Sequence, residues 1–305
     1  MIRKCYIWLL LGMCGVFAAC SSTSGVPEGD QLYIGISKID YTNYEKTRHF
    51  TTIREELEAA LACQPNGSFL GSSYHRMPFP YRLWFWNAFH EGDDDLSKWL
   101  TKNFGKPPVL ISWVNPALRA GVARSVLRNH GYFLGDVNFH VDQVKNSKKA
   151  KLGYTVDVGP LFTIDTLTYE GFSHEADSLI HAASTEAKVK AGDPFDVAAL
   201  DAERTRISTL FRNYGYFYYQ PGYASYLADT LSRRGKVDLK MRLLDNLPAK
   251  ARHKWYIGNI DLELRKQFME TLNDTIRRRR LTVHFNGRKS PIRPRVILRD
   301  LKLRS

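Results

Sequence analysis

The side chains able to do chemistry in this chain are few and scattered. His174 and His181 lie seven residues apart on one predicted helix. Neither has an acidic or cysteine partner at metal-ligand spacing, so both read as surface histidines. Asp93-Asp94-Asp95 lacks the alternating spacing of a calcium loop and reads as the start of a short helix, Leu96 to Asn103, where carboxylates complement the dipole. Glu55-Glu56 sits on a solvated helix face. There is no nucleophile elbow, no H-E-x-x-H and no Gly-rich phosphate loop followed by Lys-Ser/Thr. These residues predict a non-enzymatic protein, with no catalytic set, metal, cofactor or small-molecule substrate.

One thiol stands apart. Arg3 and Lys4 form a positive n-region, Ile7 to Val16 an apolar h-region, and Phe17-Ala18-Ala19-Cys20 a small-residue end. With Ser21 to Ser24 behind it, this resembles a bacterial lipoprotein signal, in which the Cys20 thiol is diacylated and becomes the new N-terminus. Phe17 replaces the usual leucine. Two or three acyl chains anchor stably, because each buried methylene contributes about 0.8 kcal/mol. A generic signal peptide cut elsewhere is the alternative. Cys5 and Cys14 leave with the signal, and Cys63 is then the one free thiol, closing an apolar helix face beside Leu57 and Leu61.

The formal charge is +13, and it is concentrated. Lys250 to Ser305 holds 16 Lys and Arg against 5 Asp and Glu, while residues 21–249 balance. An export signal argues against nucleic acid as the partner. A phosphate-rich membrane surface, an acidic protein, or solvent alone fits that basic end.

The elements that position everything else are marked by a repeated phrase. Leu127 to Phe133 reads L-R-N-H-G-Y-F and Phe211 to Phe217 reads F-R-N-Y-G-Y-F, with five identities at a spacing of 84 residues. Each follows a helical pattern and precedes a strand-like one. Gly131 and Gly215 therefore fall where a helix C-terminus needs a left-handed residue. Tyr132 and Tyr216 follow, and Phe133 and Phe217 are placed to cover the last helical turn.

Around these signatures the pattern is β-α-α-β-β. Leu32 to Tyr41 reads as a strand, and Thr52-x-x-Glu55 as a capping box opening a helix to about Cys63. Asn115-Pro116 opens a second helix with Leu118, Val122 and Val126 inward. Asp136 to Val144 and Leu152 to Val158 form a hairpin, with Val137, Phe139 and Val141 alternating against a wet face. The second unit repeats this with Phe162 to Tyr169, Ser173 to Ala183, a helix opened by Asp193-Pro194 with Val197, Leu200, Ile207 and Leu210 inward, and the hairpin Tyr223 to Leu231 and Lys236 to Leu244. Trp255 to Leu264 opens a third unit. There Phe268, Leu272 and Ile276 predict a helix ending in Arg277 to Arg280, followed by a strand at Leu281 to Phe285 and a helix from Pro294.

The predicted fold class is α+β, with two complete modules and an incomplete third. The boundaries are a signal at 1–20, a tether at 21–31, modules at 32–158 and 160–249, and the remainder at 253–305. Each unit buries only a little over 60% of its unfolded surface, which predicts a semi-rigid string. The insert 64–106 in the first module is irregular and carries Tyr81, Trp84, Phe85, Trp86 and Phe89. This cluster fits a core patch under a long loop, and alternatively a membrane interface or partner. The first hairpin strands are edge candidates for β-augmentation, with Val137, Phe139, Val141, Tyr223 and Tyr226 as partner-binding residues; a blunted edge is the alternative.

The lipoprotein signal, the β-α-α-β-β repeat and the doubled R-N-x-G-Y-F phrase together resemble POTRA domains. More closely, the chain is similar to the periplasmic part of TamL-type lipoproteins of Bacteroidota, relatives of the BamA/TamA outer-membrane assembly proteins. The matching stretches are V-P-E-G-D-Q-L-Y-I-G-I (Val26 to Ile36), Q-P-N-G-S-F-L-G (Gln64 to Gly71), G-K-P-P-V-L (Gly105 to Leu110) and both GYF segments. The resemblance implies a scaffold on the periplasmic side of the outer membrane, receiving unfolded outer-membrane proteins or a TamB-type partner. The family's C-terminal transmembrane barrel has no counterpart before Ser305, so the sequence reads as truncated ahead of it or the barrel as encoded elsewhere. A surface-exposed binding lipoprotein, or a cell-envelope hydrolase with its site in the insert, are the competing readings.

Overall fold

The computed structural model describes residues 22–300. Cys20 and the signal segment lie outside the described residues. Contacts group the chain into two compact units, one of 22–167 with Lys190–Ala199 and Ala228–Leu239, the other of Thr168–Val189, Leu200–Leu227 and 240–300.

In the first unit β1 (Leu32–Thr42) lies at one edge of a three-stranded sheet of order β1-β3-β2, with β2 (Asp136–Gln143) at the other edge and β3 (Lys149–Asp157) between them. β1 runs parallel to β3 and β2 antiparallel to it. Two helices cover one face: α1 (Arg48–Leu61) and, beyond the insert's α2 (Tyr81–Phe89), α3 (Asp95–Phe104) and α4 (Ile111–Val114), α5 (Pro116–Asn129). Phe50, Ile53, Leu57 and Leu61 from α1 meet Ala120, Ala123 and Leu127 from α5 over Tyr33, Leu152, Tyr154 and Val156 of the sheet. Burying each large aliphatic side chain stabilises by about 1.5–3 kcal/mol.

Two details of these helices depart from the sequence reading. α1 starts a turn before the predicted box, with the Thr47 hydroxyl accepting from the Phe50 amide at 3.1 Å. The inward stripe of α5 is Pro116, Ala120, Ala123 and Leu127, leaving Leu118 and Val122 exposed. The alanines let the helix backbone approach α1, a distinction that apolar spacing alone does not make. Asn115 does cap α5, accepting from the Leu118 amide at 3.2 Å with Pro116 behind it.

The second sheet has the order β4-β6-β5, from β4 (Thr163–Glu170), β5 (Ala224–Asp229) and β6 (Lys236–Leu243). α6 (His174–Ala182) is capped by Ser173. α7 (Val197–Asn213) begins three residues later than Asp193-Pro194 predicts, because Asp196 is the cap, accepting from the amides of Ala198 and Ala199. Its buried residues are Leu200, Glu203, Ile207, Ser208 and Phe211; Val197 is exposed. The buried carboxylate of Glu203 is held by a two-pronged pair with Arg206 (2.9 and 2.6 Å) and by the Lys188 amide at 2.8 Å.

The third sheet, of order β7-β9-β8, overturns the predicted helix through Phe268, Leu272 and Ile276. β7 (Ile260–Glu263) runs parallel to β9 (Leu281–Phe285), and β8 (Asp274–Arg278) pairs antiparallel with β9. Phe268 and Met269 are 90% and 86% exposed. The helical spacing of three apolar residues loses to the alternation of Leu281, Val283 and Phe285, which bury against Ile276 and recruit β8 as their partner. The arginine run lies on β8 and its tight turn, with Arg279 at φ 54. α8 (Pro294–Asp300) supplies Ile297 and Leu298 to the same small core.

Candidate docking edges and module junctions

Each of the first two sheets has two edges, and the chain itself closes one of them. Along β1 the insert and the segment after it supply backbone partners: Tyr33 donates to Val109 O at 2.8 Å, Ile36 donates to Ser73 O at 2.8 Å, and Ile111 donates to Gln31 O at 2.9 Å. Gly35, at φ +115, makes the close approach possible, since a Cβ there would stand 2.7 Å from Ser73 O. Along β4 the segment before α7 does the same, with Ile164 donating to Asp193 O at 2.8 Å and Gly192 to Ile164 O at 2.7 Å. Asp193-Pro194 thus serves the sheet edge. The opposite edges, β2 and β5, pair with no further strand among the described residues.

Only part of each open edge is apolar and reachable. Val137 is buried at 1%, opposite Val156. Phe139 and Val141, opposite the buried Tyr154 and Leu152, are 40% and 39% exposed. On the other face, the His140 ring lies across Gly153, the residue opposite it, where a Cβ would fall 2.1 Å from Nε2. In the second unit the expected strand from Tyr223 begins at Ala224. Tyr223 ends a single 3-10 turn, and its carbonyl accepts from the Leu244 amide at 3.0 Å. Tyr226 turns inward, donating to Leu200 O at 3.2 Å, and burial raises its phenol well above the ordinary value. Neither tyrosine presents a free ring on β5.

The repeated phrase performs one job twice. Tyr132 donates to Leu127 O and Tyr216 to Phe211 O, each at 2.9 Å, while Gly131 and Gly215 donate to Arg128 O and Arg212 O. These are the paired bonds of a Schellman cap, and both glycines have positive φ (85° and 101°). Tyr132 and Tyr216 are each 5% exposed, within their own cores. Each glycine carbonyl also accepts the amide that opens the following stretch: Phe162 on Gly131 at 2.9 Å and Trp255 on Gly215 at 2.8 Å.

The phenylalanines do not cover the helix end as the sequence predicts. Phe133 packs edge-on against Phe162 at 5.2 Å and against Phe195 at 4.9 Å. Phe217 is 60% exposed, between Tyr218 and the Arg212 guanidinium. The helix end is already sealed by the buried tyrosine, which leaves the next ring for the junction or for solvent.

His130, one of the two positions where the copies of the phrase differ, escaped the sequence reading. Its Nδ1 lies 2.7 Å from Asp196 and its Nε2 2.9 Å from Glu56, joining α1 and the α7 cap across the first junction. Burial opposes the imidazolium, and the two carboxylate hydrogen bonds outweigh it, so its pKa lies above the ordinary histidine value. Burial raises the pKa of Asp196, and the hydrogen bonds from His130 and the two capping amides outweigh it and bring it below the ordinary carboxylate value. The Tyr214 that replaces it in the second copy is exposed; there Lys254 pairs with Glu175 instead.

The residues of the insert have structural assignments. Asp94 caps α3, accepting from the Ser97 amide at 2.9 Å, and Lys98 pairs with Asp93 at 3.1 Å. His90 stacks on Trp86 at 3.7 Å between centroids. His90 Nε2 also lies 3.7 Å from the Glu91 carboxylate. The aromatic cluster is not a core patch: Leu83 is buried, but Tyr81 is 48% exposed and Trp84, Phe85 and Trp86 are half-buried. The expected tether is packed down, with Thr23 and Val26 buried and Val26 seated on Leu83. Among the described residues no group of three or more His, Cys, Asp or Glu could hold a metal ion.

No protein-family model matches the chain, and no curated protein matches it. Among solved structures it is similar to POTRA domains 3–5 of Haemophilus influenzae BamA, with TM-score 0.36, 13% identity, and coverage of 81% of this chain and 76% of that one. POTRA domains 1–3 of the periplasmic domain of Omp85 from Anabaena give TM-score 0.32 and 11% identity over 91% and 79% of the two chains. Haemophilus ducreyi BamA lacking POTRA domains 1–3 gives TM-score 0.30 and 13% identity over 52% of this chain, which spans 26% of that structure.

Proposed function

We propose that this chain is the periplasmic POTRA portion of a lipid-anchored outer-membrane assembly protein of the TamL type. In this reading it works without catalysis, as a scaffold that docks extended segments of unfolded outer-membrane proteins or of a TamB-type partner. Cys20 carries the acyl anchor, and the modules comprise 32–158, 160–249 and the start of a third at 253–305. The observation that carries the proposal is the asymmetry of the sheet edges. In both complete modules the first strand is closed by the chain's own backbone, while β2 and β5 keep an open side, flanked on β2 by Phe139 and Val141. Main-chain pairing at such an edge is tolerant of sequence, and the adjoining apolar side chains supply affinity.

The test is proline substitution on β2 in two phases, at Asn138 and His140 or at Phe139 and Val141. Backbone amides of a strand alternate in direction, so one phase removes outward donors and leaves the β3 ladder intact. The variant that keeps its folded circular dichroism should lose crosslinking to unfolded outer-membrane proteins or to the partner. Undiminished crosslinking in that folded variant refutes docking at β2.

A further inference from the structure

The insert presents an aromatic surface that its own module does not use. Phe85 of α2 contacts Phe89 and Phe104 at ring separations of 6.1 and 5.7 Å, and Phe104 contacts Trp99 at 5.6 Å. The outer members remain open to solvent: Tyr81 48%, Leu96 64%, Trp99 55% and Phe104 42%. Their spacing places Tyr81, Phe85 and Phe89 on one side of α2, and Leu96 and Trp99 on one side of α3. We infer that this face lies in the interfacial layer of the zwitterionic membrane that holds Cys20.

Reach, charge and shape support this placement, which rests on the lipid anchor proposed above. Gly25 is pressed against α2, where a Cβ would stand 2.7 Å from both Trp86 and Asn87. Val26 is buried beside Leu83 of the same helix. Five residues separate Cys20 from Gly25, so even fully extended chain spans at most about 18 Å. An acyl anchor at Cys20 therefore keeps Gly25, and the insert helix it touches, within about 18 Å of the lipidated residue. The charges across 81–106 cancel, with Arg82, Lys98, Lys102 and Lys106 against Glu91, Asp93, Asp94 and Asp95. A neutral rim gains nothing from anionic lipid, and interfacial tryptophan and tyrosine suit a zwitterionic layer. No helix among the described residues is long and apolar enough to cross a membrane. The helices would lie in the interface, which fixes which side of the first module faces the bilayer and leaves the insert unavailable to clients.

The experiment uses the full mature protein in phosphatidylcholine–phosphatidylethanolamine vesicles whose acyl chains are brominated near the headgroup. Tryptophan emission is compared with that in unbrominated vesicles, for the wild type and for Trp99→Phe, and mass spectrometry of the same sample reads the acyl group on Cys20. The wild type should lose emission to bromine, and Trp99→Phe should remove a distinct share of that loss. If Cys20 is acylated and the loss is the same in both proteins, the face is not at the membrane and the inference fails while the anchor stands. If Cys20 carries no acyl group, the anchor and the inference fail together. If Trp99 is unquenched and its emission shifts to the blue with protein concentration, a second copy covers the face, which also overturns the proposal.

Discussion

Replacing His130 with glutamine tests whether the first junction is held by a titratable clamp. The imidazole is 14% exposed, Asp196 is 23% exposed and Glu56 is 52% exposed. The sheltered His130–Asp196 contact dominates, since a hydrogen bond to a charged group contributes roughly 1.5–3 kcal/mol. The Glu56 contact is half in water and is worth only about 0.2–1 kcal/mol. Glutamine keeps a donor, and Asp196 keeps its two capping amides, so the expected loss is about 2 kcal/mol at about pH 6. The sign follows from the direction of the shift. His130 has its pKa raised above 6.5 in the folded state, so its contribution is complete below 6.5 and is lost as pH rises through the raised value. Asp196 has its pKa lowered below 3.8, so its contribution is lost only as acid passes that lowered value. The assay is urea unfolding of wild type and His130→Gln at several pH values, with His49, whose Nε2 lies 3.3 Å from His130 O, present in both proteins. Wild type should lose stability as pH rises above 6.5 and through the raised His130 value, and the gap to the variant should close over that rise. A gap that stays constant across it refutes the clamp.

Two further outcomes follow from the same geometry. Gly131→Ala and Gly215→Ala each cost about 1–2 kcal/mol for a left-handed alanine. Gly131→Ala should cost more in chemical unfolding, because its Cβ would meet Phe195 O at 2.9 Å whereas the nearest atom at Gly215 is 3.4 Å away; equal losses would contradict the close junction. Glu203→Ala removes the partner of a nearly buried Arg206 and should destabilise by about 3–5 kcal/mol, the range for breaking a buried pair. Glu203→Gln, which retains an acceptor for Arg206 and Lys188, should lose less, and the reverse order in urea midpoints would rule out the pair as the cause.

How much of this was legible in the sequence varied with the range of the interactions involved. The Asn-x-Gly-Tyr-Phe phrase announced two helix ends, because a Schellman cap is built within six consecutive residues from a glycine and the carbonyls just before it. Asn115-Pro116 and Ser173 were readable for the same reason, and Asp94 too: a cap is satisfied by its own neighbours. The hairpins 136–157 and 224–243 were readable from alternation and a short turn. Local chemistry failed where a distant segment decided the outcome. Asp193-Pro194 looked like a helix start and became the cover of β4, because Ile164 supplies the donor and the acceptor it needs. Leu118 and Val122 looked inward until α1 came close enough to prefer the alanines. Phe268 and Ile276 looked helical until β9 offered Ile276 an apolar strand.

The sequence by itself determined the repeat, the module type and the caps at Asp94, Asn115 and Ser173, since these depend on the order of residues within a dozen positions. Only the tertiary structure decided which edges are free, which side chains reach solvent and which charges meet. His130, Glu56 and Asp196 are separated by 74 and 66 residues, and nothing in their spacing records that one imidazole will stand between two carboxylates. Exposure is a property of what packs on a face, so the aromatic residues of the insert, read from composition as core, stand half-buried to exposed around a buried Leu83.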